Sequence, residues 1–447
     1  MSLEIERSLR FGPRTAGEIL TEINASQASF SRAVRGLEKT GRVLRLGRAR
    51  ATRYGLRRHL AGTGEDTWPL YTIDESGHPA PVAELTCIAL DQFALRTTIP
   101  PESFPARSIL REDFSPSLPF FFQQLRPEGF LGRAQLRTLD LDLDVPAAIR
   151  NWSEDHVLKF LVLRGEDLSG CWIVGQFSLE RFLRQKYTII DGTDGEIFAD
   201  LARRALAGEA PGSSAGGEHP KFTALLRDAP YTEPYHAIVK FSSPANDPVA
   251  QRGRDLLRAE HQALEILGAA GFSVSPTRLL EFDSQIFLIV QRFDRVGERG
   301  RRPYIALGWL DDEFIGRRRN VRESAHRLQE QERITPQDCD TIQVASFFGD
   351  FIGNTDQHFG NTSFSWNNRG FFLAPLYDVL PMHYAPSALG QFRSDTHPEP
   401  VRFPEHADAY DHARILAERY WSQVQDDSAY SADFRSIAGR NAARYRK

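Results

Sequence analysis

Two aspartates and an asparagine in the C-terminal half of this chain have types and spacings that could do chemistry. Asp356 and Asn361 lie five residues apart in Gly353-Asn354-Thr355-Asp356-Gln357-His358-Phe359-Gly360-Asn361. Asp378 follows 22 residues after Asp356, inside the apolar run Leu373-Ala374-Pro375-Leu376-Tyr377-Asp378-Val379-Leu380. One carboxylate of such a set can accept the proton of a substrate hydroxyl. An amide oxygen and the second carboxylate are the hard donors that a magnesium ion prefers. Each half also has a purely structural reading. Asn354-Thr355-Asp356 would serve as a capping turn, and Tyr377-Asp378 as a corner.

Three upstream segments arrive in an order that favours the chemical reading. A small-residue loop, Gly212-Ser213-Ser214-Ala215-Gly216-Gly217, precedes Lys221 and an apolar strand. Backbone N–H groups of such a loop can approach phosphate oxygens, although a plain surface loop has the same composition. Next comes Tyr235-His236-Ala237-Ile238-Val239-Lys240-Phe241, a strand ending in lysine. Only six of the 55 basic residues are lysine, so a lysine inside a motif is informative where arginine serves elsewhere. Third is a helix carrying Glu260, placed to pair with Lys240, followed by paired strands whose second member runs Ile286-Phe287-Leu288-Ile289-Val290-Gln291-Arg292-Phe293. A strand lysine behind a glycine-rich loop, and an Asp and Asn five apart, are the parts with which protein kinases hold ATP and its metal.

In this order the strings GNTDQHFGN, LAPLYDVLP, SSAGGEHPKFTAL, HAIVKF and LIVQRFDR resemble the signatures of the HipA family, kinase toxins of bacterial toxin–antitoxin systems. FFFQQLRPEGF resembles the segment of their N-terminal region that reads Leu-Pro-Glu-Gly, with Arg126 where leucine is commoner. A DNA-binding module fused in front is similar to the YjjJ-like branch. The resemblance implies an α+β, bilobal protein-kinase-like fold that uses ATP and Mg2+. It implies Asp356 as catalytic base, with His358 orienting its loop; a metal-ligand role for His358 is the lesser alternative. Asn361 and Asp378 would bind Mg2+. Lys240, Lys221 and the loop residues Ser213, Ser214, Gly216 and Gly217 would meet the phosphates, and the backbone of Gln291 and Phe293 would bracket adenine. It further implies autophosphorylation at Ser214 or its neighbour Ser213, which would eject the loop. The implied protein substrate is a translation enzyme such as an aminoacyl-tRNA synthetase. The implied regulation is an antitoxin or self-neutralisation.

The elements that must position these groups can also be read. Residues 2–9 form an amphipathic stretch, Thr15 and Glu18 make a capping box, and Phe30, Val34 and Leu37 share one helical face. Ser29, Arg32 and Arg35 fall elsewhere on that helix, and Arg45, Arg48, Arg50 and Arg53 stud a hairpin turning near Gly47. Helix, turn, polar helix and basic wing in this order predict a winged helix-turn-helix that binds DNA through residues 1–60. Residues 1–58 carry thirteen Lys and Arg against five Asp and Glu, although the whole chain stands at −4, so a basic head joins an acidic body. The spacing of elements predicts domains at 1–62, 63–145, 146–295 and 296–447, with a linker at 62–66. The three cysteines lie far apart and form no CxxC pair, so they are expected as small buried residues rather than a zinc site or disulfides. No apolar run reaches eighteen residues and no signal-like start is present, which predicts a cytoplasmic chain with no membrane partner. Two other readings share these residues. One is a DNA-binding transcriptional regulator whose kinase-like body senses nucleotide or binds a partner. The other is a kinase of small molecules.

Overall fold

The computed structural model describes residues 1–98, 109–110, 112–127, 144–146, 148–207, 220–229, 232–367, 369–387, 389–393 and 396–446. The chain divides into two compact units, Met1–Pro127 with Thr138–Lys186, and Glu128–Arg137 with Tyr187–Lys447.

The first unit opens with helices Ser2–Ser8, Ala16–Ile23 and Gln27–Lys39 and a small sheet in the order Arg14–Thr15, Arg53–Leu56, Val43–Leu46. Thr15 accepts the N–H of Glu18 while Glu18 accepts that of Thr15, so the capping box fixes where the second helix begins. Ile5, Leu9, Ile19, Phe30, Val34, Leu37, Val43 and Tyr54 form one core. Gly47 has φ +83, and a Cβ there would lie 2.2 Å from Ala51 O, so the hairpin tip needs glycine.

An antiparallel five-stranded sheet follows, ordered Asp113–Ser115, Phe93–Thr97, Pro79–Cys87, Thr67–Ile73, Trp172–Val174. Its last strand and the helices Glu154–Arg164 and Gln176–Arg184 belong to this unit. The first unit extends to Lys186 because Trp172–Val174 pairs with Thr67–Ile73. Within the stretch read as a linker, the backbone forms a closed turn. Leu60 N–H donates to Glu65 O (2.8 Å), Thr63 N–H donates to Leu60 O (3.1 Å), and the Leu60 side chain is buried. Leu44 and Leu46 of the small hairpin pack with Ile88, Ala94 and Phe114 of the large sheet, so the two sheets share an apolar seam. All three cysteines are buried and none is joined in a disulfide.

The second unit holds a five-stranded sheet ordered Thr277–Phe282, Gln285–Gln291, Tyr235–Phe241, Lys221–Arg227, Ile189–Asp191. Asp283 and Ser284 both take positive φ, which suits the tight two-residue turn joining its first two strands. The 22-residue helix Pro248–Ala269 begins under an Asp247 cap with Pro248 in its first turn. One of its faces sets Leu257 against Ile286, Leu288 and Val290 of the sheet. Another face sets Leu256, Ala263, Leu264 and Leu267 into a core with Phe347, Phe348, Phe351 and Trp421. That core belongs to helices Pro336–Ile352, Ala407–Asp426 and Ala432–Tyr445. A sheet-rich half and a helical half thus meet along one helix. Among the described residues no helix is long and apolar enough to cross a membrane.

Candidate active site

Lys240 lies one residue before the end of the strand Tyr235–Phe241 with its side chain buried, and its ammonium meets two carboxylates. Nζ lies 2.7 and 2.8 Å from the Glu260 oxygens and 2.5 Å from Asp378 Oδ1. Glu260 reaches it because the long helix presents that position between its two packed faces, where it is fully buried. Burial disfavours the Lys240 charge, but the carboxylates of Asp378 and Glu260 more than offset it, so the pKa is held above the ordinary lysine value. Lys221 sits directly across the strand pair from Lys240 and is buried as well. Its charge opposes the upward push that burial gives to the carboxyl of Glu260.

Asp378 is placed by its neighbours. Leu376 pairs with the backbone of Ser273 and Ser275 (2.8 and 2.9 Å), and Tyr377 donates its hydroxyl to Gly360 O (2.6 Å). The Tyr377 hydroxyl also meets Ser363 Oγ at 2.8 Å, and burial raises its pKa. Tyr377 therefore ties the Asp378 segment to the loop carrying Asn361. Asp378 itself has φ +60, a left-handed conformation that costs a non-glycine residue about 1 kcal/mol or more.

The loop begins where helix Pro336–Ile352 stops at Gly353, φ +79, whose missing Cβ makes room for the His397 ring. Both backbone groups of Asp356 are then bound by asparagines. Asn354 Oδ1 accepts its N–H (3.0 Å), and Asn361 Nδ2 donates to its carbonyl (2.9 Å). The capping-turn reading of Asn354 and the chemical reading of Asp356 are compatible, since the turn holds the Asp356 backbone in place. The Asp356 residue is exposed. His358 Nδ1 accepts the Gly360 N–H (3.0 Å) and caps the short turn Phe359–Asn361.

With its N–H committed to Asp356 O, the Asn361 amide keeps its oxygen for a cation, and Asp378 adds a carboxylate. This donor set fits magnesium, which takes one or two protein oxygens and completes its shell with phosphate and water. Among the described residues no group of three or more His, Cys, Asp or Glu could hold a metal. At the end of the strand Gln285–Gln291, Gln291 N–H donates to Pro276 O (2.9 Å), which commits that donor to the fold rather than to adenine. The Phe293 ring packs on Tyr304 and Tyr377, with centroids 5.5 Å away in both cases. Ser213, Ser214, Gly216 and Gly217 lie outside the described residues.

On the N-terminal head, Arg32, Arg35, Arg45, Arg48, Arg50 and Arg53 are exposed. Arg53 also donates to Pro13 O (2.9 Å), and Ser29 is half-buried, its N–H held by Ser26. Tyr377 is legible in the sequence only as a corner and not as a tie; Asp350 lies just before the loop signature with no role attached to it, and Arg322 belongs to no motif string.

Comparison with known proteins adds to this geometry. Residues 64–183 match the family profile "YjjJ-like toxin, middle domain", and residues 213–436 match "HipA-like C-terminal domain". The chain is 35% identical over 438 residues to Toxin YjjJ of Escherichia coli (strain K12), covering 97% of this chain and 95% of that one. The Shewanella oneidensis MR-1 HipA, solved with HipB and its operator DNA, superposes with a TM-score of 0.53 at 15% identity, over 85% of this chain and 96% of that one. The Helicobacter pylori proinflammatory kinase CtkA overlaps with a TM-score of 0.36 at 14% identity, over 52% of this chain and 88% of that one.

Proposed function

The chain belongs to the YjjJ-like toxins of the HipA family, and from that premise we propose that it is an ATP- and magnesium-dependent serine/threonine protein kinase. The observation that carries the reading is the convergence of Glu260 and Asp378 on Lys240, with Asp356 locked beside Asn361. Lys240 and Lys221 would hold phosphate oxygens, and the segment that leaves the strand after Gln291, at Phe293, would receive the adenine, since the Gln291 N–H is already taken by Pro276 O. Asn361 and Asp378 would hold magnesium, which would neutralise phosphate charge when bound. Asp356 takes the proton from a serine or threonine hydroxyl as that oxygen bonds to the γ-phosphorus. The bond from the γ-phosphorus to the bridging oxygen breaks, and ADP leaves with that electron pair. His358 and Asn354 keep the base in place.

By the family resemblance, Ser214 or its neighbour Ser213 would be the autophosphorylation site, and phosphate there would add close to two negative charges where ATP phosphates bind. A Ser213→Ala/Ser214→Ala variant that still self-phosphorylates with unchanged kinetics would refute this. The exposed arginines of the head support DNA binding through residues 1–60, and the Shewanella HipA was itself solved with HipB and operator DNA. We take the protein substrate to be a translation enzyme such as an aminoacyl-tRNA synthetase. Restraint by an antitoxin, or by the fused head, is the accompanying regulation. The same exposed arginines favour the second reading, a DNA-binding regulator whose body only senses nucleotide.

Incubation of the chain with labelled ATP, Mg2+ and cell lysate, followed by mass spectrometry, separates the readings. The kinase reading expects phosphate on serines and threonines of particular proteins. Label confined to small molecules would replace it with a small-molecule kinase, and no transfer at all would leave the regulator.

A further inference from the structure

The residue after the proposed base makes a contact outside its own loop. Gln357 Nε2 donates to Asp350 Oδ1 (2.6 Å), and Asp350 Oδ2 accepts from Arg322 Nη1 (2.6 Å). Arg322 is fixed in turn. It also donates to Ser346 Oγ (2.9 Å), its guanidinium lies 4.3 Å from the Phe347 ring centroid, and its carbonyl accepts from Gln343 Nε2 (3.0 Å). Gly349 clears the path: a Cβ there would lie 2.7 to 2.9 Å from the Gln357 amide atoms.

The placement of Asp350 needs a reason. It occupies the last turn of helix Pro336–Ile352, where aligned carbonyls disfavour a carboxylate and no basic residue of that turn compensates. Arg322, from the helix Val321–Glu330, provides the compensation from outside. A carboxylate kept at an unfavourable helix end by an imported guanidinium, facing an amide in the catalytic loop, reads as a positioning device.

We propose that Arg322, Asp350 and Gln357 form a relay that fixes Asp356, making all three positioning residues for phosphoryl transfer; this rests on the kinase reading above. The loop is held from inside by Asn354 and Asn361, and the relay anchors it from outside to two helices.

The test uses the full-length chain and the variants Asp350→Ala, Gln357→Ala, their double, and Asp350→Asn/Gln357→Glu, which reverses donor and acceptor. Each single change is expected to lower kcat about tenfold or more through misplacement of the base, with KM for ATP within about twofold. The double should be no worse than either single. The reversed pair should recover part of the loss, which a merely structural role would not predict. Backbone amide exchange across residues 354–361 should accelerate in Gln357→Ala, which lies on the loop and is readily tolerated by the fold. Full kcat in the single variants, or additive losses without recovery, overturns the relay. If the wild-type chain transfers no phosphate, the kinase reading fails on its own, and exchange still decides: acceleration confined to 354–361 supports the relay, and unchanged exchange sinks it.

Discussion

At the scale of residues, Lys240 illustrates why type outranks charge. A compact ammonium fits between Glu260 and Asp378, whereas a planar guanidinium matches neither the space nor the geometry. Lys240→Arg should therefore lower kcat/KM for ATP on the order of a hundredfold, as removal of a preorganised donor does, and steady-state kinetics will show it. His397 offers a test by pH. It is buried, its ring bonded to Tyr384, Tyr445 and the Phe351 carbonyl, and burial pushes its pKa from 6.5 down to about 4. The unfolded chain binds the proton first as pH falls, so stability from this neutral imidazole is complete above about 6.5 and drains away toward 4. Between pH ~6.5 and ~5 the loss should reach roughly 2 kcal/mol. Thermal melts of His397→Gln should lack that part of the slope, and an identical slope would contradict the assignment. Asp356, Asn361, Asp378 and Lys240 were legible because each sits in a short string whose residue types the chemistry requires. Asp350 and Arg322 were not, since they lie 28 residues apart on different helices and meet only after folding.

At the scale of elements, local signals did well wherever a cap or a turn fixes them. Thr15 with Glu18 marks a boundary that the structure keeps, and the paired strands read on either side of residues 283–284 meet there in a tight turn. The glycine-rich stretch at 62–66 forms a closed turn, and composition cannot report that Leu60 is buried beside it. The hairpin Val43–Leu46 and Arg53–Leu56 carries two apolar faces, one for the head and one for the large sheet. Removal of residues 1–60 should therefore expose Ile88, Ala94 and Phe114, and the truncated chain should lose soluble yield and melt earlier than the intact one. Phe114→Ala, which empties the same seam, should cost about 3 kcal/mol by denaturant titration, as large-to-small core changes do. A truncated chain that melts as the intact one does would show the head to be detachable.

At the scale of the whole molecule, the α+β, kinase-like architecture was legible from motif order, which fixes how loop, strand, helix and catalytic segment must succeed one another. The division of the chain after Lys186 was not, because the pairing of Trp172–Val174 with Thr67–Ile73 spans about a hundred residues. The basic head on an acidic body predicts that DNA retention falls steeply between ~50 and ~200 mM salt. Arg48→Ala/Arg50→Ala should flatten that dependence, as gel-shift titration will show. If the groups around Lys240 and Asp356 perform phosphoryl transfer, Asp356→Asn set beside the wild type decides it, with transfer of labelled γ-phosphate and ATP affinity scored in the same preparation with Mg2+. Transfer should be abolished with ATP affinity within about twofold, because Asp356 acts on the hydroxyl rather than the nucleotide. Undiminished transfer by Asp356→Asn would contradict it.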